Sequence, residues 1–198
     1  ARRARVRQEL KVADKTPVIL FSGRVIPQKQ PRVLAETALR LARSTQDLVF
    51  VVAGRGVDLP WLAQFVTRHR LGKQVRLLGA VPQERMRELL AAADIFFLPS
   101  RNEGISLAIY EALACGVPVV SADVGGQREL VTPDCGILVA HGTESEDVER
   151  YTQALKELIA QPERRAAMGA AARARVQAQF TLEQTVDGMI GLLGDARQ

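Results

Sequence analysis

Two cations and two carboxylates are spaced in a way that suits a ligand carrying both phosphate and hydroxyl groups. Arg24 and Lys29 stand five residues apart in the segment that follows an apolar run. Two cations in one loop are typical of phosphate or diphosphate binding. Glu103 and Glu111 stand eight residues apart, and carboxylates near a phosphate make chemical sense as acceptors for hydroxyl groups. A nucleotide sugar has both phosphate and hydroxyl groups.

Each of these residues also has a simpler interpretation when it is taken alone. Arg24 and Lys29 are compatible with a solvated turn. Glu103 is compatible with a partner for the positive end of a helix, and Glu111 with a solvated helix charge. The ligand-binding interpretation therefore depends on whether the fold brings these side chains to one crevice.

Short apolar runs alternate with amphipathic stretches over most of the chain. The runs are rich in Val and Ile, which predicts strands covered on both faces. The alternation predicts right-handed βαβ units, hence an α/β fold with a Rossmann-like, doubly wound parallel sheet of about six strands. The predicted strands cover 18–21, 48–52, 75–78, 95–98, 117–120 and 137–139, and the predicted helices cover 32–43, 61–70, 83–93, 106–114 and 126–131.

In an open parallel sheet the ligand crevice lies beyond the carboxyl ends of the strands. The segments holding Arg24 and Glu103 each follow a predicted strand, so both are expected at this crevice. Glu103 also precedes a predicted helix, whose free N–H groups favour an anion. After residue 143 we expect only a helical tail, with helices over 145–161 and from 162 to about 180. A capping box formed by Thr181 and Gln184 predicts a last helix over 182–193.

Composition and missing motifs narrow the function classes. The net charge is +5, but the basic residues are spread over several predicted helices, which favours solvated surfaces and predicts no nucleic-acid partner. The chain has no G-x-G-x-x-G after the first strand and no P-loop signature. We therefore expect no cofactor. We also expect no metal, because the two Cys and two His residues lack the spacing of a ligand set, namely Cys115, Cys135, His69 and His141.

The motifs together resemble the C-terminal domain of retaining GT-B glycosyltransferases of family 4, the group 1 transferases. The resemblance rests on Gly23-Arg24 with Lys29, on Ala53-Gly54-Arg55-Gly56, and on Glu103-x7-Glu111 within PSRNEGISLAIYEALACGVPVV. It extends from about residue 16 to 193. It implies the C-terminal half of a GT-B fold and a sugar transfer that needs no metal and retains the anomeric configuration.

The resemblance also implies roles for individual residues. Arg24 and Lys29 would bind the donor diphosphate and stabilise the leaving group, and Glu103 would contact hydroxyls of the donor sugar, which makes these three the expected catalytic set. Glu111 would hold the ribose, and Val81 would lie beside the base. The rest of the expected donor site consists of Gly23, Gly104, Ile105, Ser106 and Leu107.

The resemblance implies a division of the chain as well. Residues 1–15 would connect to an N-terminal acceptor-binding domain that this sequence does not contain, 16–180 would form the nucleotide-sugar domain, and 181–198 would form a helix crossing to the missing half. We expect a UDP- or GDP-linked donor and a cytoplasmic location, at the inner face of the membrane if the full-length protein attaches there. The alternative function is a non-catalytic nucleotide-sugar or carbohydrate-binding module. One departure is Gln30, where the family often has glycine after the lysine.

Overall fold

The protein is an α/β domain built on one six-stranded parallel sheet. The computed structural model describes residues 2–45, 47–181 and 184. The strand order is β3-β2-β1-β4-β5-β6, and every neighbouring pair is parallel. The strands are β1 (Val18–Ser22), β2 (Val49–Ala53), β3 (Val75–Gly79), β4 (Ile95–Leu98), β5 (Val119–Ala122) and β6 (Gly136–Val139).

The apolar runs form strands because both faces of the sheet are covered. All residues of β2, β4 and β5 are buried, which explains why these strands are apolar throughout rather than alternating. The predicted fold class is thus confirmed. Several strand bounds differ from the predicted ones by one residue, and the largest shift is in β5, which begins at Val119 rather than at Val117. The Val117 N–H binds the carbonyl of Ala112, and Pro118 has no N–H to offer a neighbouring strand.

The helices lie on both faces of the sheet. They are α1 (Arg2–Glu9), α2 (Pro31–Ser44), α3 (Leu59–Arg68), α4 (Gln83–Ala92), α5 (Leu107–Ala114), α6 (Gln127–Leu130), α7 (Glu144–Ala160) and α8 (Pro162–Gln179). The chain reverses its direction across the sheet between β3 and β4. Because the crossovers are right-handed, α2 and α3 cover one face and α4 and α5 cover the other. Helix α7 packs on α2, and α8 packs on α5.

The reversal between β3 and β4 places a switch point between the neighbouring strands β1 and β4. The connections that leave their carboxyl ends run toward opposite faces, so a crevice opens between them. The segment after β1 holds Arg24 and Lys29, and the segment after β4 holds Glu103. The topology therefore brings two distant parts of the sequence to one edge of the sheet.

The basic N-terminal segment forms α1, which packs on α4. We expected its arginines to be solvated, and this is wrong for Arg7, which is 1% exposed. Its guanidinium lies 3.1 Å from a carboxylate oxygen of Asp94 and 2.6 Å from the Ala13 carbonyl. A buried guanidinium needs such a set of acceptors, since an unpaired charge in the core would be strongly destabilising.

The tail is helical, as predicted, over α7 and α8. The predicted last helix, 182–193, lies outside the described residues except at Gln184. Among the described helices, none combines the length and the apolar character needed to cross a membrane.

Candidate functional site

The segment after β1 carries two cations in different settings. Arg24 is exposed, whereas Lys29 ends a short 3₁₀ turn, Pro27–Lys29, with 14% of its side chain exposed. Gly23 and Gly54 hold this segment close to the end of β2. A Cβ atom on Gly54 would lie 1.8 Å from the Gly23 carbonyl oxygen, so only glycine permits this approach.

Gln30 follows the lysine in a left-handed backbone conformation, with φ of 50°. It ends the 3₁₀ turn through a bond from its N–H to the Pro27 carbonyl and precedes the first residue of α2. The related family often has glycine at this position, and glycine adopts this region without the steric cost that a Cβ atom imposes. The departure noted in the sequence thus leaves the turn, and with it the position of Lys29, intact.

The segment after β4 brings the carboxylate of Glu103 to the loop that carries Arg24 and Lys29. The Lys29 ammonium group pairs with the Glu103 carboxylate, although the two residues are 74 positions apart. The Glu103 side chain is 10% exposed, so the pair is nearly enclosed. The structure therefore brings Lys29 and Glu103 into contact at the crevice, with Arg24 on the same loop as Lys29.

Backbone contacts fix the Glu103 segment on two sides. On the first side, the Arg101 N–H donates to the Gln28 carbonyl over 2.8 Å, and the Gln28 side-chain amide donates to the Asn102 carbonyl over 2.8 Å. On the second, Gly125 lies so close that a Cβ atom there would be 1.7 Å from the Glu103 carbonyl oxygen. The Glu103 backbone is thus held between the β1 and β5 loops.

Helix α5 begins at the crevice with its N-terminus uncovered. Ser106 is the N-cap residue, but its side chain makes no capping hydrogen bond. Ile105 and Leu107 are large apolar residues with 54% and 76% of their surface exposed, and Gly104 is exposed beside them. The free N–H groups of the first turn and the positive end of the helix favour an anionic ligand at this place.

Glu111 lies farther along α5, half-buried in a groove of about 620 Å³ between α4 and α5. Met86 and Tyr110 are among the other residues that line the groove. The volume of the groove gives Glu111 room for a ribose-sized group beside it. The groove wall also contains the Cys115 thiol, and burial raises the pKa of this thiol, so it is protonated at neutral pH.

A second hollow, of about 320 Å³, lies at the carboxyl ends of β1, β2 and β3. Arg24, Arg55, Val81 and Met86 belong to its lining. Met86 lines both this hollow and the groove of Glu111, so the two spaces adjoin. Arg24 and Val81 thus line the hollow and Glu111 lines the adjoining groove, whereas the Lys29–Glu103 pair belongs to the lining of neither.

Sequence reasoning gave no role to Arg55, Met86 or Gln28. Arg55 belongs to the Gly54-Arg55-Gly56 segment directly after β2. Its position after a predicted strand could have indicated a place at the crevice. Met86 lies inside α4, and Gln28 acts through one backbone and one side-chain contact, so neither has a recognisable sequence signal. Among the described residues, no group of three or more His, Cys, Asp and Glu side chains is placed to hold a metal ion.

A family profile and several known proteins match this chain over most of its length. The family profile described as "Glycosyl transferases group 1" matches residues 2–175. A GDP-mannose-dependent monoacylated alpha-(1-6)-phosphatidylinositol monomannoside mannosyltransferase from Corynebacterium glutamicum is 36% identical over 89% of this chain and 47% of its own length. A D-inositol 3-phosphate glycosyltransferase from Geodermatophilus obscurus is 36% identical over 95% of this chain and 42% of its own length.

Solved structures share the fold. The Anabaena protein HepE, in a complex with UDP, superposes with a TM-score of 0.82 at 25% identity, over 98% of this chain and 52% of that one. The chain spans less than half the length of both enzymes from Corynebacterium and Geodermatophilus.

Proposed function

The chain belongs to the group 1 glycosyl transferase family, and from this membership we propose that it is the donor-binding domain of a retaining, metal-independent hexosyltransferase. The donor is a nucleotide diphosphate sugar, and the acceptor is held by another part of the full-length protein. The observation that carries the proposal is the Lys29–Glu103 pair at the crevice between β1 and β4. At this crevice a cation suited to phosphate lies in contact with a carboxylate suited to sugar hydroxyls.

The diphosphate is bound by Arg24, Lys29 and the N-terminus of α5. When the bond between the sugar and the diphosphate breaks, negative charge builds on the departing phosphate. Fixed cations and oriented N–H groups stabilise that charge in the transition state without having to reorganise. Lys29 supports this role well because the 3₁₀ turn and its nearly enclosed side chain restrict its movement.

Glu103 binds hydroxyl groups of the donor sugar, and Glu111 binds the ribose hydroxyls. The base lies in the hollow lined by Val81 and Met86, next to the groove of Glu111. A ligand that runs from the hollow past the groove to Lys29 has the order base, ribose, diphosphate and sugar. The adjoining spaces support neighbouring places for the base and the ribose, since Met86 borders both of them.

The relatives supply the first donors and acceptors to test. The relative from Corynebacterium is GDP-mannose-dependent by name, whereas HepE was crystallised with UDP. Both curated relatives bear names that contain a phosphorylated inositol. We propose a GDP- or UDP-linked hexose as donor and an inositol that carries a phosphate as the acceptor class.

Isothermal titration calorimetry of this chain with GDP, UDP and ADP tests the donor site. We expect one nucleotide to bind at least about tenfold more tightly than the others, a difference of about 1.4 kcal/mol, and its hexose conjugate to bind as well. The matched control is Arg43→Ala, an exposed arginine in the last turn of α2, which should leave every affinity unchanged. The absence of binding by all three nucleotides would contradict the proposal.

A further inference from the structure

His141 connects the far edge of the sheet to the segment that carries Glu103. It lies two residues after β6, in the turn that leads into α7. Its Nε2 atom is 3.1 Å from the Ser100 carbonyl oxygen and 3.2 Å from the Arg101 carbonyl oxygen. These contacts bridge about 40 positions of sequence, from the end of β6 past β5 to the end of β4.

Asp147 holds the imidazole from the other side. Its carboxylate oxygen Oδ2 lies 3.0 Å from Nδ1 of His141, and Oδ1 accepts a 2.8 Å hydrogen bond from the Gly142 N–H. The Asp147 side chain is only 3% exposed. Both ring nitrogens of His141 thus face oxygen atoms, Nδ1 the Asp147 carboxylate and Nε2 the two backbone carbonyls. The ring orientation is therefore fixed by a buried carboxylate that has a second anchor of its own.

We propose that His141, oriented by Asp147, is a positioning residue for Glu103. It holds two successive carbonyl groups, those of Ser100 and Arg101, directly before the carboxylate. Gln28 holds the Arg101 N–H from the opposite side. The segment is thereby clamped between the β1 loop and the β6–α7 turn, and the Glu103 carboxylate is presented to the donor sugar in one position. This proposal depends on the proposed function for the identity of the ligand.

The clamp acts on a part of the segment that would otherwise have freedom to move. Arg101 and Asn102 are both exposed, so side-chain packing does little to fix them. Loss of the contacts between Nε2 and the two carbonyl oxygens should change an equilibrium that requires the fixed position by roughly tenfold. The effect should concern the sugar, which Glu103 contacts, more than the diphosphate, which Arg24, Lys29 and the α5 terminus contact.

Two substitutions of His141 distinguish positioning from simple packing. The side-chain amide of His141→Gln reaches about as far as Nε2 and can donate to the Ser100 or Arg101 carbonyl. The amide of His141→Asn reaches only to about the position of Nδ1 and can donate to Asp147 alone. The matched control is Arg150→Ala, because Arg150 donates to the Ala140 carbonyl over 2.8 Å in the same turn without contacting the Glu103 segment.

The first measurement is calorimetric titration of each variant with GDP and GDP-mannose, or with UDP and UDP-glucose if the wild type prefers UDP. We expect His141→Ala and His141→Asn to bind the nucleotide sugar about tenfold more weakly. We expect all variants to bind the nucleoside diphosphate within about twofold of the wild type, and His141→Gln to restore most of the sugar-dependent affinity. Equal weakening of both ligands, or equal behaviour of the Asn and Gln variants, would overturn the proposal.

The second measurement needs no ligand, so it separates this proposal from the proposed function. We expect hydrogen exchange in the peptide 100–106 to be at least about fivefold faster in His141→Ala than in the wild type, and unchanged in Arg150→Ala. If the wild type binds no nucleotide, the proposed function fails, and faster exchange still supports the clamp on the segment. Unchanged exchange in His141→Ala would refute the clamp whatever the ligand is.

Discussion

The Lys29–Glu103 pair gives the most informative test of the site, because its two partners should stabilise the fold together but affect ligand binding differently. We expect Lys29→Met to weaken binding of a nucleoside diphosphate, since a phosphate-binding cation is lost. We expect Glu103→Gln to leave that binding unchanged or to strengthen it, because Lys29 is then released from its carboxylate partner. The same Glu103→Gln substitution should weaken binding of the nucleotide sugar.

The magnitude follows from the exposure of the two side chains, 14% for Lys29 and 10% for Glu103. An exposed ion pair contributes about 0–1 kcal/mol, whereas removing one partner of a buried pair costs about 3–5 kcal/mol. The pair lies between these limits and closer to the buried one. We therefore expect each single substitution to lower the free energy of unfolding by about 2 kcal/mol, and the double substitution to cost clearly less than their sum.

The assay is urea unfolding of the wild type, Lys29→Met, Glu103→Gln and the double variant. We expect a coupling free energy above about 1 kcal/mol. The matched control is the surface pair of Arg40 and Glu149, whose side chains are 40% and 71% exposed, with coupling below about 1 kcal/mol. Additive effects at Lys29 and Glu103 would refute the pairing, and equal loss of diphosphate affinity in both single variants would refute the division of roles.

Three further predictions concern the same crevice. Arg24→Ala should weaken nucleoside diphosphate binding about tenfold or more, because a charged hydrogen bond to phosphate is lost. Nucleoside binding should stay unchanged, and calorimetry with GDP and guanosine, or with UDP and uridine, compares the two. Equal losses for both ligands would show that the role is wrong. Gly125→Ala should lower the affinity for the nucleotide sugar. The φ of 54° at Gly125 and the 1.7 Å distance from an added Cβ atom to the Glu103 carbonyl oxygen would force the Glu103 segment to move. Unchanged affinity would show that this close approach does not position Glu103. Gln30→Gly should retain the free energy of unfolding or raise it by up to about 1 kcal/mol. A non-glycine residue in the left-handed region costs about 1–2 kcal/mol, and the greater chain entropy of unfolded glycine offsets part of the gain from its removal. A clear loss of stability on urea unfolding would contradict this.

The fold could be predicted from the sequence because its signals are local. The strands β2 and β4 are uninterrupted apolar runs, and such runs between amphipathic stretches leave few arrangements other than a covered parallel sheet. The Glu103 and Arg24 segments could also be assigned to the crevice, since position after a strand is a topological property. The limits of β5 could not be read from composition, because Val117 is apolar but its N–H is used to close α5.

The supports of the site could not be predicted, because they join residues that are distant in sequence and ordinary in type. No local pattern indicates that Gln28 holds Asn102, or that Gly125 lies against the Glu103 carbonyl. His141 lacked the partners of a metal site, and the sequence gave no reason to pair it with the Ser100 carbonyl. Such contacts follow from the three-dimensional path of the backbone, which the periodicity of apolar residues does not specify.

The arrangement of these supports explains how a short segment between β4 and α5 can present a carboxylate accurately. Contacts from the β1 loop, the β5 loop and the β6–α7 turn all end on the backbone between Ser100 and Gly104. Catalytic groups need neighbours that restrict their position, because a displacement of about 1 Å can cost on the order of a hundredfold in rate. Since each contact uses a backbone carbonyl or N–H group of this segment, its exposed side chains at Arg101 and Asn102 can vary without moving Glu103.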